Sequence, residues 1–197
     1  MLCSHIKEKV VLSMVLFVNG CVRTNSRTLD LAKAVLEQKC GELQCVNLCS
    51  CDLEPLNEER LLLRDALIAK KDFSHPMLRW AVQFAQADTI VIAAPYWDLL
   101  FPTMVRAYLE AITVSGITFF YNEQGIPQGL CKAKKLIYVT TSGGPIIQNY
   151  GFEYIKALAT TFYGIENVEF VSAEGLDILG ADPDAILRKA KSNYIDR

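Results

Sequence analysis

The chain has 197 residues, of which 51% are hydrophobic and 21% are charged, and these proportions exclude a disordered chain. The length and the lack of any linker or repeat predict a single domain over residues 1–197. The formal net charge of −2 provides no basic field for a polyanion, so we expect no nucleic acid partner.

The first predicted elements are a strand and a helix. The continuous apolar run Val10–Val18 predicts strand one, and it is too short and too β-branched to span a bilayer. Helical periodicity over Ser26–Gln38 predicts a helix that stops at Gly41, and Glu42–Leu48 predicts a second strand. With no secretory leader evident at the start, we expect a cytoplasmic protein without a membrane partner.

The middle of the chain continues the alternation. Asn57–Gln86 predicts one or two helices, broken near His75 and Pro76 because proline disfavours helix in the residue before it. Asp88–Ala94 is apolar on both faces, which is typical of a strand in a parallel sheet covered on both sides. Pro102–Val114 predicts the next helix, with proline in its first turn.

The last third completes the pattern. Lys135–Thr141 and Val168–Ser172 predict the fourth and fifth strands, and Gln148–Tyr163 and Pro183–Tyr194 predict the helices that follow them. Five strands alternating with helices predict an α/β fold with a doubly wound, five-stranded parallel sheet and helices on both faces. With the strand order 2-1-3-4-5, ligands bind at the carboxyl ends of the strands where the order reverses.

The loop after strand one offers polar groups at the start of a helix. It runs from Asn19 to Ser26 and contains neither a dinucleotide-binding nor a triphosphate-binding glycine pattern. Its hydroxyls, its amide and Arg23 lie where unpaired N–H groups and the helix dipole favour a phosphate. Simple capping of the helix by Thr24, Asn25 or Ser26 is the alternative interpretation.

The loops after strands three and four have different characters. Tyr96 and Trp97 are adjacent aromatic residues in a loop, which suggests a flat ligand packed against them, or alternatively a core plug or a subunit contact. Asp98 has no histidine or second carboxylate nearby in the sequence, so we do not expect a general base there. Gly143 and Gly144 allow the backbone to approach a ligand, although an ordinary tight turn also explains them.

The chain contains seven cysteines, three of them close together at Cys45, Cys49 and Cys51. A metal or iron–sulfur site would need paired Cys-x-x-Cys spacing or nearby histidines, and His5 and His75 are far away in the sequence. We therefore expect no metal and no disulfide framework, and we interpret the three as buried or half-buried structural cysteines.

Four segments resemble the FMN-dependent NAD(P)H oxidoreductases of the azoreductase and quinone reductase family. They are ADTIVIAAPYWDLLFPTMVRAYLEAI, SGITFFYNEQGIPQGL, KKLIYVTTSGG and VEFVSAEG, and the resemblance extends from about Val10 to about Leu179. It implies a flavodoxin-like fold, FMN as cofactor, NADH or NADPH as electron donor, and ping-pong hydride transfer to a quinone, azo compound or related small molecule. It also implies a homodimer.

The resemblance also implies which residues bind the cofactor and the substrate. No catalytic side chain is required, because the flavin N5 carries the hydride. The residues implied are Asn19, Thr24, Asn25 and Ser26 around the phosphate; Pro95, Tyr96, Trp97, Asp98 and Leu99 at the isoalloxazine ring; Thr141, Ser142, Gly143 and Gly144 on the other side of the flavin; and Tyr121 and Phe162 at a substrate pocket completed by the partner subunit.

Two features depart from the family pattern. The loop from Asn19 to Arg23 lacks the serine-rich pattern common at the phosphate, and the second departure is Asp98. Azoreductases usually have asparagine where this chain has Asp98, and a carboxylate beside an anionic reduced flavin is repulsive unless it points away or is protonated.

Three alternatives remain open at this point. The first is a flavodoxin-like electron carrier or flavin-binding module without its own NAD(P)H oxidase activity, although a net charge of −2 gives little docking charge. The second is a phosphoacceptor or structural α/β module. A phosphoacceptor domain needs acidic residues at the ends of its strands, and strands one and three have none there. The third is a partner subunit with the same fold and weak flavin binding.

Overall fold

The structure is a computed structural model that describes residues 13–196. Strands and helices alternate through most of this range. The strands are β1 (Met14–Asn19), β2 (Glu42–Asn47), β3 (Thr89–Ala93), β4 (Phe119–Tyr121), β5 (Pro127–Gly129), β6 (Lys135–Thr141) and β7 (Asn167–Ala173). The α-helices are α1 (Arg27–Glu37), α2 (Glu58–Lys70), α3 (Arg79–Gln86), α4 (Thr103–Ile112), α5 (Tyr150–Leu158) and α6 (Pro183–Ile195).

The central sheet is parallel and has the order β2-β1-β3-β6-β7, while β4 and β5 form a separate antiparallel hairpin. Counted within the central sheet alone, its strands follow the order 2-1-3-4-5. The hairpin was not predicted, and it shifts the numbers of the last two strands. Asn19 at the end of β1 lies opposite Ala93 in β3 and Asn47 in β2, so these three strands end at one edge of the sheet.

Helices cover both faces of the sheet. Alternate residues of each strand point to opposite faces, so Val15 and Val91 pack against α1 and α6, whereas Leu16 and Ile90 pack against α3, α4 and α5. On the first face, α1 begins at Arg27, directly after Ser26, whose hydroxyl caps it. This doubly wound arrangement leaves the loops after β1, β3, β6 and β7 together at the carboxyl edge.

Several predicted boundaries differ in detail. Residues 10–12 of the first predicted strand lie outside the described residues, and β1 is described from Met14. The predicted helical stretch 57–86 is two α-helices, and the first ends at Lys71, which has the left-handed φ of 54°. After α5 the helix widens into a π-helical segment, Ala159–Tyr163. Among residues 13–196, no helix is both long and apolar enough to cross a membrane.

The interpretation of the three neighbouring cysteines as buried or half-buried was wrong for two of them. Cys45 and Cys49 are exposed and Cys51 is half-buried. The reason is that β2 is an edge strand in which only Val46 is buried. The strand then gives way to a 3₁₀ turn at Leu48–Ser50, so the alternation on which a shared face depends does not continue. The described residues contain no group of three or more histidine, cysteine or acidic side chains placed to hold a metal ion.

Candidate functional site

A cavity of about 200 Å³ lies at the carboxyl edge of the sheet, where three predicted loops meet. Eight residues of the predicted site line it: Asn25, Ser26, Pro95, Tyr96, Trp97, Thr141, Ser142 and Gly143. Five residues outside the predicted set also line it: Val22, Arg23, Arg27, Thr28 and Asp177. Of the remaining predicted residues, Asn19, Thr24, Asp98, Leu99 and Gly144 lie in the same loops without lining the cavity.

The first wall of the cavity is the start of α1. Ser26 is the N-cap, and its hydroxyl accepts a hydrogen bond from the Leu29 N–H at 3.2 Å. The backbone N–H groups of Arg27 and Thr28, in the first turn, find no acceptor among the described residues. Capping by Ser26 therefore does not exclude anion binding at this helix start, because the cap satisfies only one of the free donors.

The turn that leads into α1 is fixed by close packing. The Asn19 side-chain oxygen accepts from the Cys21 N–H at 3.0 Å, so Asn19 holds the loop rather than facing the cavity. The Gly20 N–H donates to the Ala93 carbonyl at 2.7 Å, and a Cβ on Gly20 would lie 2.6 Å from Val105 Cγ2. Only glycine allows this approach. Burial raises the pKa of the Cys21 thiol, which keeps it protonated and unreactive.

The second wall is the loop after β3, which ends in a tight turn. Trp97 and Leu100 exchange backbone hydrogen bonds of 3.1 and 2.8 Å around Asp98 and Leu99, whose φ values are 51° and 67°. Such a turn normally takes glycine or asparagine, so Leu99 in particular is held in a strained conformation by its surroundings. Those surroundings include the Tyr150 N–H, which donates to the Leu99 carbonyl at 3.2 Å.

The two aromatic residues of this loop have different roles. The Tyr96 hydroxyl donates to the Gln148 carbonyl at 2.8 Å, which ties the loop to the segment before α5. Trp97 is 41% exposed and lines the cavity, so the interpretation of this pair as a core plug does not apply to it. An exposed indole at the mouth of a cavity is suited to stack on a planar ligand.

The third wall is built from two loops that pair with each other. The Leu176 and Asp177 N–H groups donate to the carbonyls of Ser142 and Gly143 at 3.2 and 2.9 Å, so the loop after β7 lies against the loop after β6. A Cβ on Gly143 would lie 2.5 Å from the Asp177 Oδ2. A side chain at this position would displace the carboxylate, so glycine permits its approach, a reason that the sequence did not indicate. Gly144 has open space around its Cα.

An ion pair links the first and third walls. Arg27 Nη1 and Nη2 donate to the two carboxylate oxygens of Asp177 at 2.9 and 3.1 Å, and Nη1 also donates to the Leu176 carbonyl at 3.3 Å. The hydrogen bond from Arg27 lowers the pKa of Asp177, which is therefore ionised at neutral pH. No local pattern predicts this contact, because the two residues are 150 positions apart in the chain.

The floor of the cavity contains a buried pair of hydroxyl groups. The Thr28 and Thr141 side chains hydrogen-bond to each other, and the two residues are 1% and 8% exposed. No other hydrogen bond of either hydroxyl is found in the described part of the chain. This contact joins α1 to the end of β6 directly under the cavity.

Tyr121 and Phe162 do not line the cavity. Both pack edge to face on Phe119, with ring centroids 5.3 and 4.9 Å from it. Phe162 follows α5, and the β4 hairpin follows α4; both helices run back from the carboxyl edge towards the amino edge of the sheet. The Phe119 cluster therefore lies towards the other end of the domain, and the substrate-pocket role of the two residues stays a prediction.

Comparison with known proteins places this geometry in a family. The family described as "Flavodoxin-like fold" matches residues 13–197. The FMN-dependent NADH:quinone oxidoreductase 2 of Clostridium perfringens (strain 13 / Type A) is 31% identical over 181 residues, which cover 87% of this chain and 90% of that protein. The enzyme of the same name from Clostridium acetobutylicum is 41% identical over 120 residues, 58% of this chain and 59% of that protein. In this second alignment the chain spans about three-fifths of the relative's length.

Solved structures share the fold. The azoreductase from Bacillus anthracis str. Sterne superposes with a TM-score of 0.80 at 21% identity, covering 94% of this chain and 98% of that one. An FMN-dependent NADH-azoreductase from Bacillus anthracis str. Ames Ancestor, in complex with FMN, gives a TM-score of 0.77 at 23% identity, covering 94% and 97%. At these identities the likeness establishes the fold. From the family match over residues 13–197 and the relative that aligns along 90% of its own length, the chain belongs to the flavodoxin-like fold family, together with FMN-dependent NADH:quinone oxidoreductases.

Proposed function

We propose that this protein binds FMN and reduces quinones, azo compounds or related small acceptors with electrons from NADH or NADPH. The observation that carries the proposal is the meeting of three loops at one cavity, with unpaired amides at the start of α1 and an exposed Trp97. The names of the relatives, FMN-dependent NADH:quinone oxidoreductases, agree with it.

The residues present fit FMN. The amides of Arg27 and Thr28, the positive end of α1 and the Arg23 side chain would hold its phosphate. Pro95, Tyr96 and Trp97 would hold one side of the ring system, and residues 141–144 the other. Asp98 is exposed and does not line the cavity, which removes the expected repulsion from a reduced flavin.

Bound FMN would supply the redox chemistry, by taking a hydride from NADH or NADPH and passing it to the acceptor. The chain would contribute binding and orientation. Trp97 and Tyr96 provide a flat wall that excludes water from one side, and the backbone of residues 141–144 provides polar groups opposite. We propose no catalytic acid or base, since orientation is the main requirement of hydride transfer.

We further propose a homodimer acting in the cytoplasm. Tyr121 is 55% exposed and is directed to a cluster away from the cavity of its own protomer. If Tyr121 and Phe162 serve a substrate pocket, a second copy of the chain must bring them there. Light scattering at micromolar concentration tests this proposal, and a monomer would contradict it.

Ser26 caps α1 and also lines the cavity, so substitutions at this residue test flavin binding. Ser26→Asp keeps a good N-cap but adds a negative charge beside the proposed phosphate, whereas Ser26→Asn keeps a neutral cap. Ser26→Asp should weaken FMN binding by at least about tenfold through charge repulsion, and it should leave riboflavin, which lacks the phosphate, unaffected. Ser26→Asn is the matched control for both ligands.

Activity separates the enzyme from the electron carrier. Protein loaded with FMN should show a flavin spectrum and should reduce menadione and a simple azo dye with NADH or NADPH. In stopped-flow mixing with NADH or NADPH, reduction of the flavin should remove its visible absorbance within the time of one turnover. A preparation that stays colourless with added FMN contradicts the whole proposal, and one that binds FMN but is not reduced by NADH or NADPH is a carrier.

A further inference from the structure

The Arg27–Asp177 ion pair lies in the cavity lining, next to the start of α1. Arg27 is the first residue of α1, and its own amide belongs to the proposed phosphate-binding turn. Asp177 lies in the loop between β7 and α6, and both residues line the cavity. Because both guanidinium nitrogens bond the carboxylate, at 2.9 and 3.1 Å, the pair closes the space between the start of α1 and that loop.

The surroundings hold this closure in position. The loop of Asp177 is paired by backbone hydrogen bonds to Ser142, Gly143 and Gly144, at 3.2, 2.9 and 3.1 Å. Because Gly143 has no side chain, the Asp177 Oδ2 can lie 2.5 Å from the position that a Cβ would occupy. The Leu176 carbonyl accepts a further hydrogen bond from the same guanidinium group.

Folding stability is at most part of the role of the pair. Its two parallel hydrogen bonds strengthen it, but the Asp177 side chain is 63% exposed and that of Arg27 is 34% exposed, and solvent weakens an ion pair at such exposure. A second ion pair, Lys191 with Asp30 at 2.7 Å, also joins α1 to the carboxyl-terminal part of the chain and lies outside the cavity lining. What distinguishes the Arg27–Asp177 pair is that it forms a wall of the cavity.

We propose that the Arg27–Asp177 pair makes the site select FMN over FAD, an inference that rests on the flavin-binding function proposed above. FMN ends at its phosphate, so it fits a site that is closed beyond the start of α1. FAD carries the same flavin and continues from that phosphate into a second phosphate and adenosine, which need an open path. The ion pair blocks the path between α1 and the loop after β7.

The test measures dissociation constants for FMN and FAD from the quenching of flavin fluorescence. Asp177→Ala removes the wall and should lower the preference for FMN over FAD by at least about tenfold, the scale of steric discrimination in a pocket. Asp177→Asn keeps the size and one acceptor oxygen for Arg27 but loses the charge and the second hydrogen bond, so its preference should lie between those of the wild type and Asp177→Ala. Gly143→Ala displaces the carboxylate and should lower the preference while both members of the pair remain.

Asp30→Ala is the matched control, because it breaks an ion pair of α1 that does not line the cavity. Thermal melts of each variant show that the fold is kept. The inference is wrong if Asp177→Ala binds FMN with an unchanged preference, or if Asp177→Asn loses as much preference as Asp177→Ala. A wild-type protein that binds no flavin would instead overturn the function on which the inference rests.

Discussion

The buried hydroxyl pair under the cavity gives a sharp prediction about stability. Thr28 and Thr141 bond to each other and are 1% and 8% exposed, so each hydroxyl depends on the other for its hydrogen bond. Valine has nearly the same shape as threonine without the polar group. Thr28→Val therefore leaves the Thr141 hydroxyl buried without its partner, and Thr141→Val does the converse. The double variant removes both polar groups together.

The expected magnitudes follow from the cost of an unsatisfied buried group. Each single variant should lose about 1–2 kcal/mol of the free energy of unfolding, because a buried hydroxyl has lost its partner. Replacing both partners by apolar groups of the same shape is close to neutral, so the double variant should be more stable than either single variant. The coupling between the two positions should therefore be about 2–4 kcal/mol in size, at or above the upper end of the range for contacting residues.

Urea unfolding of the flavin-free protein, followed by circular dichroism, measures these energies. With an m-value of about 2 kcal/mol per molar, each single variant should lower the midpoint by about 0.5–1 M. Thr161→Val, at an exposed helical position, is the control and should change stability by less than about 0.5 kcal/mol. Additive losses in the double variant would refute the reasoning, since they would mean that the hydroxyls do not depend on each other.

Three further predictions concern single residues. Trp97→Ala should weaken FMN binding by about tenfold, measured by fluorescence quenching, with little change in the melting temperature, while Trp97→Phe should keep most of the affinity. The hydrogen bond from Lys132 lowers the pKa of Asp88, so the ionised carboxylate stabilises the fold above about pH 4, and this stabilisation is lost as pH falls through the lower native pKa. Asp88→Asn should therefore flatten the acid side of the profile of unfolding free energy against pH, measured by urea unfolding, and an unchanged acid slope would count against this reasoning. Gly129→Ala should cost about 2 kcal/mol or more in urea unfolding, because its Cβ would lie 2.2 Å from the backbone of Gly164, whereas Gly144→Ala meets nothing within 4 Å and should be tolerated.

The sequence predicted the sheet because its strands are unambiguous. Apolar runs such as Asp88–Ala94 have to be buried on both faces, and their alternation with helices leaves few possible topologies. The hairpin of β4 and β5 was missed, because three-residue strands carry almost no periodic signal.

The candidate site was predicted only where local sequence determines it. Loop composition and family resemblance indicated Ser26, Trp97 and Gly143, all of which line the cavity. Arg27 and Asp177 were missed because their contact is made between loops that are distant in the sequence. The exposure of Cys45 could have been predicted, because the expected strand order 2-1-3-4-5 already puts strand two at the edge of the sheet.

The turn at Asp98 and Leu99 has a consequence for the order of folding. Leu99 does not favour left-handed backbone, and long-range contacts of this loop are made with the Gln148 carbonyl and the Tyr150 N–H, about 50 positions later in the chain. We therefore expect the turn to become fully ordered only once the segment around Gln148 and Tyr150 has packed against it. A chain that ends before Gln148 has the aromatic residues of this loop but lacks both contacts, so we expect binding of a planar ligand to depend on the folding of the carboxyl-terminal half.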